Sequence, residues 1–368
     1  MSSVRSRRRR RVVVAAAAVI AVCAWSAPAG AGDPLGQVTE YTTGLTPNNG
    51  PNRMTLGPDG NVWFTEGTNP GQTAKIGQVT PAGAITEFSA GLTPDGGPVA
   101  ITAGPDGNLW FAEIADPGRI GRITPTGTIT EFTTGLTPNS GPLGITAGPD
   151  GNLWFTEFAD PGRIGRITPA GVITEFTTGL TTNSGPVEIA AGPDGNLWFT
   201  EGKSPGRIGR ITPAGAITEF STGLTPNSQP NRINPGPDGN LWFTEFTDPG
   251  RIGRITTTGV ITEFSDGMSP NSGPLGIVTG CDDNLWFTES TNPGRIGRIT
   301  PAGSITEFTS GLTPDGFPVG ITAGADANVW FTETADPGRI AKIGAGCVPA
   351  PVPAASPTPV AAEPRFTG

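Results

Sequence analysis

Gly148-Pro149-Asp150-Gly151-Asn152-Leu153-Trp154-Phe155-Thr156-Glu157 is the stretch whose reading decides the fold, because the chain repeats it seven times with small edits. Its tryptophans are Trp63, Trp110, Trp154, Trp198, Trp242, Trp286 and Trp330, spaced 44 residues apart except for 47 between the first two. A fixed period in the forties with strand-like contents marks a propeller or an open array. Around the quoted stretch, residues 143–147 read as a first strand and 153–157 as a second, joined by an Asp-Gly turn in which glycine tolerates positive φ. Residues 163–168 and 172–176 read as a third and fourth, each bounded by Gly/Pro turns. Four short antiparallel strands in one repeat make one propeller blade.

The composition agrees with an all-β fold. The 368 residues include 56 Gly and 39 Pro, and no long stretch of helical period follows the N-terminus. The ends of the array decide whether it closes. Residues 38–41, Val-Thr-Glu-Tyr, match the fourth-strand motif, but no repeat precedes them. The last repeat, around Trp330, supplies three strands through Ile343 and lacks a fourth. The expected architecture is therefore a ring of seven four-stranded blades, closed by the N-terminal strand completing the last blade, which removes exposed sheet edges.

Three segments are expected: a signal peptide over 1–31, the propeller over 32–346, and a Pro/Ala-rich disordered tail over 347–368. Arg5 and Arg7 to Arg11 precede an apolar run and a small-residue Ala29-Gly30-Ala31 site, which reads as an export signal of either the Sec or the twin-arginine type. The apolar run is shorter than a membrane span needs. A secreted location follows, extracellular or in the cell envelope. Six of the 23 basic residues and none of the 32 acidic ones precede residue 32, so the remainder carries a net charge of −15. That balance argues against nucleic acid or an anionic membrane as a partner. A monomer is expected, with a small molecule or a cell-envelope component as ligand. Cys281 and Cys347 remain after the signal, and either a disulfide or two free thiols fits them.

A residue needed in every blade is most simply explained by packing, whereas a single site must break the symmetry. The seven tryptophans read as core. The recurrent glutamates, such as Glu157 and Glu201, face Arg163 and Arg207 across a hairpin and read as cross-strand charge pairs. Asp150 and its counterparts read as turn formers. The symmetry breaks where each first strand begins. Blades two, three, six and seven carry Val99-Ala100, Leu143-Gly144, Leu275-Gly276 and Val319-Gly320. Blade one has Asn52-Arg53, blade four Val187-Glu188 and blade five Asn231-Arg232, and blade four adds Lys203. Asn52, Arg53, Glu188, Lys203, Asn231 and Arg232 are the candidate ligand-binding face, suited to a polar or anionic group. Blade one also holds the three-residue insertion between Trp63 and Lys75. The chain has no histidine, which excludes Ser-His-Asp and Cys-His catalysis and every histidine-based metal site.

Gly-Pro-Leu-Gly-Ile-Thr, Asn-Leu-Trp-Phe-Thr-Glu, Gly-Arg-Ile-Gly-Arg-Ile-Thr and Ile-Thr-Glu-Phe recur in that order, and from about Val38 to Ile343 the chain resembles the virginiamycin B lyase (streptogramin lyase) family. The resemblance implies a seven-bladed propeller that linearises streptogramin B cyclic depsipeptides by elimination with Mg²⁺, an antibiotic-resistance activity. It implies histidines at positions that are Leu275 and Val319 here. It also implies a metal-linked carboxylate at Phe317 and another near Thr334, beside Glu333. Catalytic candidates are thereby reduced to Glu333 and Glu188, with Mg²⁺ expected only if lyase activity is retained and no other cofactor implied. Two functions stay open: a lyase whose chemistry is rebuilt on such residues with Arg232, or a non-catalytic extracellular propeller that binds a ligand or protein partner through one face.

Overall fold

A computed structural model describes residues 33–67 and 73–347; the expected signal peptide, the expected tail beyond Cys347 and part of the blade-one insertion lie outside them. The described chain forms twenty-eight strands in seven four-stranded antiparallel sheets. Blade three shows the pattern: β10 (Pro142–Ala147), β11 (Leu153–Glu157), β12 (Arg163–Ile167) and β13 (Ile173–Phe176), hydrogen-bonded in that order. The first strands of successive blades neighbour one another around the ring and form the wall of a central channel. Closure is as the sequence suggested. β1 (Val38–Tyr41) pairs antiparallel with β28 (Arg339–Gly344), so both ends of the array share blade seven.

The core lies between blades. Trp154 and Ile164 of blade three pack on Ile189, Leu197, Phe199 and Ile211 of blade four, and equivalent clusters fill the other gaps. All seven repeat tryptophans are fully buried. Trp154 stacks on Phe176 at 5.4 Å and 19°, and the Arg166 guanidinium lies 5.5 Å from the indole and 5.6 Å from the phenyl ring, giving a cation–aromatic cluster in one sheet. Tyr41 takes the phenylalanine's part at the closure, stacking on Trp330 at 5.6 Å.

The five Asp-Gly turns form as expected, and in every blade the turn aspartate holds the tryptophan, with Asp283 and Ala327 taking the glycine's place in blades six and seven. Trp154 Nε1 donates to Asp150 Oδ1 at 3.0 Å, and Asn152 closes the turn through its backbone and side-chain amides. Gly151 sits at φ +76°, the left-handed region that makes glycine the default there. Cys281 and Cys347 are joined by a disulfide, Cα atoms 6.1 Å apart, which ties the segment following β28 to the turn of blade six.

Candidate functional site

The symmetry-breaking pairs occupy a β-bulge. In blade three the register between β10 and β11 shifts between Pro142 and Ile145, leaving Leu143 and Gly144 outside the regular ladder. Thr156 of the quoted motif stabilises this bulge. Its hydroxyl accepts from Gly144 N at 2.8 Å and donates to the Val187 carbonyl of the next blade at 2.8 Å. Blade two carries Ala112 in place of that threonine, and there Ala100 pairs directly with Ala112. Bulges re-aim side chains, and this one divides its two residues: the first turns to the rim and the second to the channel.

The second residues bring three of the expected side chains together. Arg53 of β2 (Pro51–Leu56), Glu188 of β14 (Pro186–Ala191) and Arg232 of β18 (Pro230–Pro235) line one cavity of about 320 Å³ in the channel. Arg53 Nη1 lies 2.5 Å from Glu188 Oε2, and Arg232 Nε lies 3.6 Å from the same oxygen. Burial lowers both guanidinium pKa values while Glu188 opposes the drop. Arg232, also repelled by Arg53, is pushed down to about 9.

The first residues lead elsewhere. Asn231 lines a rim hollow of about 290 Å³ together with Ile114, Leu143, Phe158, Val187 and Phe246. The Asn231 Oδ1 is buried there without a hydrogen-bond partner among the described residues. Lys203 lies beside this hollow, its ammonium 4.8 Å over the Phe158 ring. The backbone carbonyl of Asn52 accepts from Thr332 Oγ1 at 2.6 Å, and Asn52 lines neither this hollow nor the channel cavity. The expected face is therefore two sites: a charged cluster in the channel and an apolar groove on the rim.

Ile114, Phe158 and Phe246 were not legible as site residues from the strand-start comparison. They are 39%, 36% and 43% exposed, unusual for side chains so large and apolar. The available signal is the residue after each buried glutamate: Gly67, Ile114, Phe158, Gly202, Phe246, Ser290 and Thr334. That position varies more than the Trp-Phe-Thr-Glu motif before it. Phe246 also borders a second hollow of about 330 Å³ with Gln229 and Asp248.

Glu333, the other catalytic candidate, is fully buried, as are its six counterparts. Arg339 Nη1 is its ionic partner at 3.7 Å, and burial, then repulsion from Glu40, pushes its carboxyl up to about 7. The charge pairing of these glutamates needs correction. Glu157 does pair in register with Arg163, but Arg163 Nε makes its ion pair with Glu175 of the fourth strand at 3.6 Å. Both Glu157 oxygens lack hydrogen bonds among the described residues, and burial raises its pKa to about 8, Ser140 opposing and Glu175 adding to the rise. Arg207 reaches both carboxylates, Glu219 at 3.7 Å and Glu201 at 3.8 Å. Register alone did not reveal that the fourth-strand carboxylate competes for the same guanidinium.

Leu275 and Val319 occupy the first bulge position of blades six and seven. Phe317 and Thr334 supply no carboxylate, and Glu333 is buried beside them. Among the described residues no three acidic or cysteine side chains are grouped to hold a metal ion, so the residues here do not fit the Mg²⁺ site that the resemblance implies. No helix among them is long and apolar enough to cross a membrane.

The Virginiamycin B lyase family profile matches residues 29–182 and 178–365. A streptogramin B lyase structure is 37% identical over 83% of this chain and 97% of that one, with a TM-score of 0.73. A catalytically inactive virginiamycin B lyase from Staphylococcus aureus, one histidine replaced by alanine and solved with quinupristin, is 38% identical over 84% of this chain and 99% of that one, TM-score 0.74. The YCF48 propeller bound to a D1 peptide, 12% identical over 86% of this chain and 98% of that one, shares the fold alone at a TM-score of 0.63. No curated protein matches the chain.

Proposed function

This chain belongs to the virginiamycin B lyase family, and from that premise we propose that it is an exported propeller that binds an amphipathic cyclic peptide or similar ligand against Ile114, Phe158 and Phe246 and releases it chemically unchanged. One observation carries the reading. The rim presents large exposed apolar side chains, while the positions where the family resemblance implies histidine hold Leu275 and Val319. A positioned acid or base contributes ~10²–10⁴-fold to a rate, and neither side chain can move a proton. The Staphylococcus aureus relative is itself described as catalytically inactive when one histidine is replaced by alanine. Apolar contact remains available as a source of affinity, at ~25 cal/mol per Å² removed from water. Export is supported by the basic and apolar N-terminus and by the Cys281–Cys347 disulfide, a bond that persists in oxidising compartments.

Quinupristin is the probe. The purified protein is titrated with it by calorimetry, then incubated with it and Mg²⁺ and analysed by liquid chromatography with fragmentation, because elimination leaves the mass unchanged. Saturable binding with an intact ring is expected. A linear product at the rate of a working lyase would overturn the reading. If that product disappeared in a folded Glu188→Gln variant, it would establish the second reading, a lyase rebuilt on the carboxylate held between Arg53 and Arg232.

A further inference from the structure

The channel cluster is a separate site from the rim groove, and its charges do not balance. Arg53 and Arg232 bring two guanidiniums, with side chains only 9% and 14% exposed, to a single carboxylate, Glu188. The cluster carries one net positive charge within a cavity of about 320 Å³. Its wall is largely isoleucine from successive first strands: Ile101, Ile145, Ile189, Ile233, Ile277 and Ile321. A charge in such surroundings is costly unless paired and hydrogen-bonded.

The hydrogen-bond account points the same way. Each guanidinium offers five N–H donors in a rigid fork. Among the described residues the two side chains make one hydrogen bond, from Arg53 Nη1 to Glu188 Oε2; Arg232 Nε at 3.6 Å is an ion-pair contact only. Glu188 Oε1 is occupied by the Ile189 backbone amide at 3.3 Å. The remaining donors therefore border the cavity without a protein acceptor. Elsewhere in the propeller, arginines such as Arg166 and Arg210 lie on aromatic rings and donate to a carbonyl of the next blade. Arg53 and Arg232 have no such packing.

We propose that the central channel is a binding site for a small organic monocarboxylate, held by the free fork donors of Arg53 and Arg232 beside Glu188. One negative charge neutralises the cluster, whereas a dianion would face Glu188 with excess charge. Two oxygens in a plane match the fork, as a spherical halide cannot.

Acetate is the probe, with chloride and inorganic phosphate as comparators at constant ionic strength and pH 7. Arginine Nε–H resonances of the full exported chain are followed by NMR during titration. Saturable shifts of two arginine signals with acetate, lost for both in Arg53→Gln and in Arg232→Gln, are expected. Glu188→Gln removes the competing anion, and its acetate affinity should rise at least threefold. A purely structural ion cluster would lose stability in that variant and gain no affinity. Absence of saturable arginine shifts in the parent protein overturns the proposal without requiring any variant to fold. Equal shifts with chloride or phosphate overturn the carboxylate assignment.

Discussion

Stability of the propeller is expected to fall as pH rises from about 5 to about 8, because each blade buries a carboxyl that is most stable protonated. Glu157 is fully buried, and burial, with Glu175 adding to it, lifts its pKa from the ordinary 4.5 to about 8. Glu113, Glu201, Glu245 and Glu289 are likewise pushed to about 8, Glu66 to about 9 and Glu333 to about 7, in each case first by burial. Since the folded pKa exceeds the unfolded one, the native chain holds more protons between these values, and the stabilisation present below 4.5 is lost as pH rises through the folded pKa. Each such carboxyl costs about 1.4 kcal/mol per pH unit in that window. The seven shifts have the same sign, so their slopes add and set the direction of the profile in this range. The perturbation is Glu157→Gln, an uncharged isostere whose amide can donate to Glu175. The assay is urea unfolding of parent and variant at intervals from pH 5 to 9. The variant should match the parent near pH 5, show a slope shallower by about one-seventh, and exceed the parent at pH 8.5. A parent profile that is flat or rising across this range would refute the reasoning, as would an unchanged slope in the variant.

Phe158→Ala with Phe246→Ala should weaken quinupristin binding at least tenfold by calorimetry while moving the melting temperature little, since both side chains are exposed. Tyr41→Ala should cost about 2–4 kcal/mol in urea unfolding through loss of the Trp330 stack, and should open blade seven to limited proteolysis where Phe176→Ala does not open blade three. Leu275→His with Val319→His should fold with a stability change within about 0.5 kcal/mol by the same measurement, as expected for side chains at the rim that enter no buried cluster.

Repetition made the architecture legible. One blade could be parsed from Leu153–Glu157 and its flanking turns, and Tyr41, a lone aromatic without a preceding repeat, identified the closing strand. The same comparison found Arg53, Glu188 and Arg232, because departures from a repeat are visible where a single copy would hide them. It missed their partition into channel and rim, since a bulge reverses the facing that simple strand alternation assigns. It also misassigned the partner of Arg163. Register places Glu157 opposite that arginine, but only the sheet shows Glu175 accepting the ion pair. Ile114, Phe158 and Phe246 were hidden because an apolar residue beside a strand reads as core, and exposure is a property of the folded surface.

The bulge also explains how a propeller of this kind can keep its fold while exchanging its chemistry. Its backbone is satisfied without its side chains. Thr288 Oγ1 accepts from Gly276 N and donates to the Val319 carbonyl, Thr332 Oγ1 accepts from Gly320 N and donates to the Asn52 carbonyl, and Thr244 Oγ1 donates to the Leu275 carbonyl. The identity of residues 275 and 319 is therefore invisible to the hydrogen bonding that shapes the ring. The tryptophan–phenylalanine stacks within the blades and the tryptophan–aspartate turns lie in other positions of the repeat. Selection on the rim can proceed at the first bulge residue with little penalty in stability, whereas at the second a Cβ on Gly320 would lie 2.2 Å from the Asn52 carbonyl oxygen of the next blade. The bulges thus constitute a set of variable sites around one axis. In this chain those sites carry two guanidiniums and a carboxylate inward, and side chains such as Leu143, Val187 and Asn231 outward. That arrangement suits recognition of a ligand by shape, apolar contact and charge.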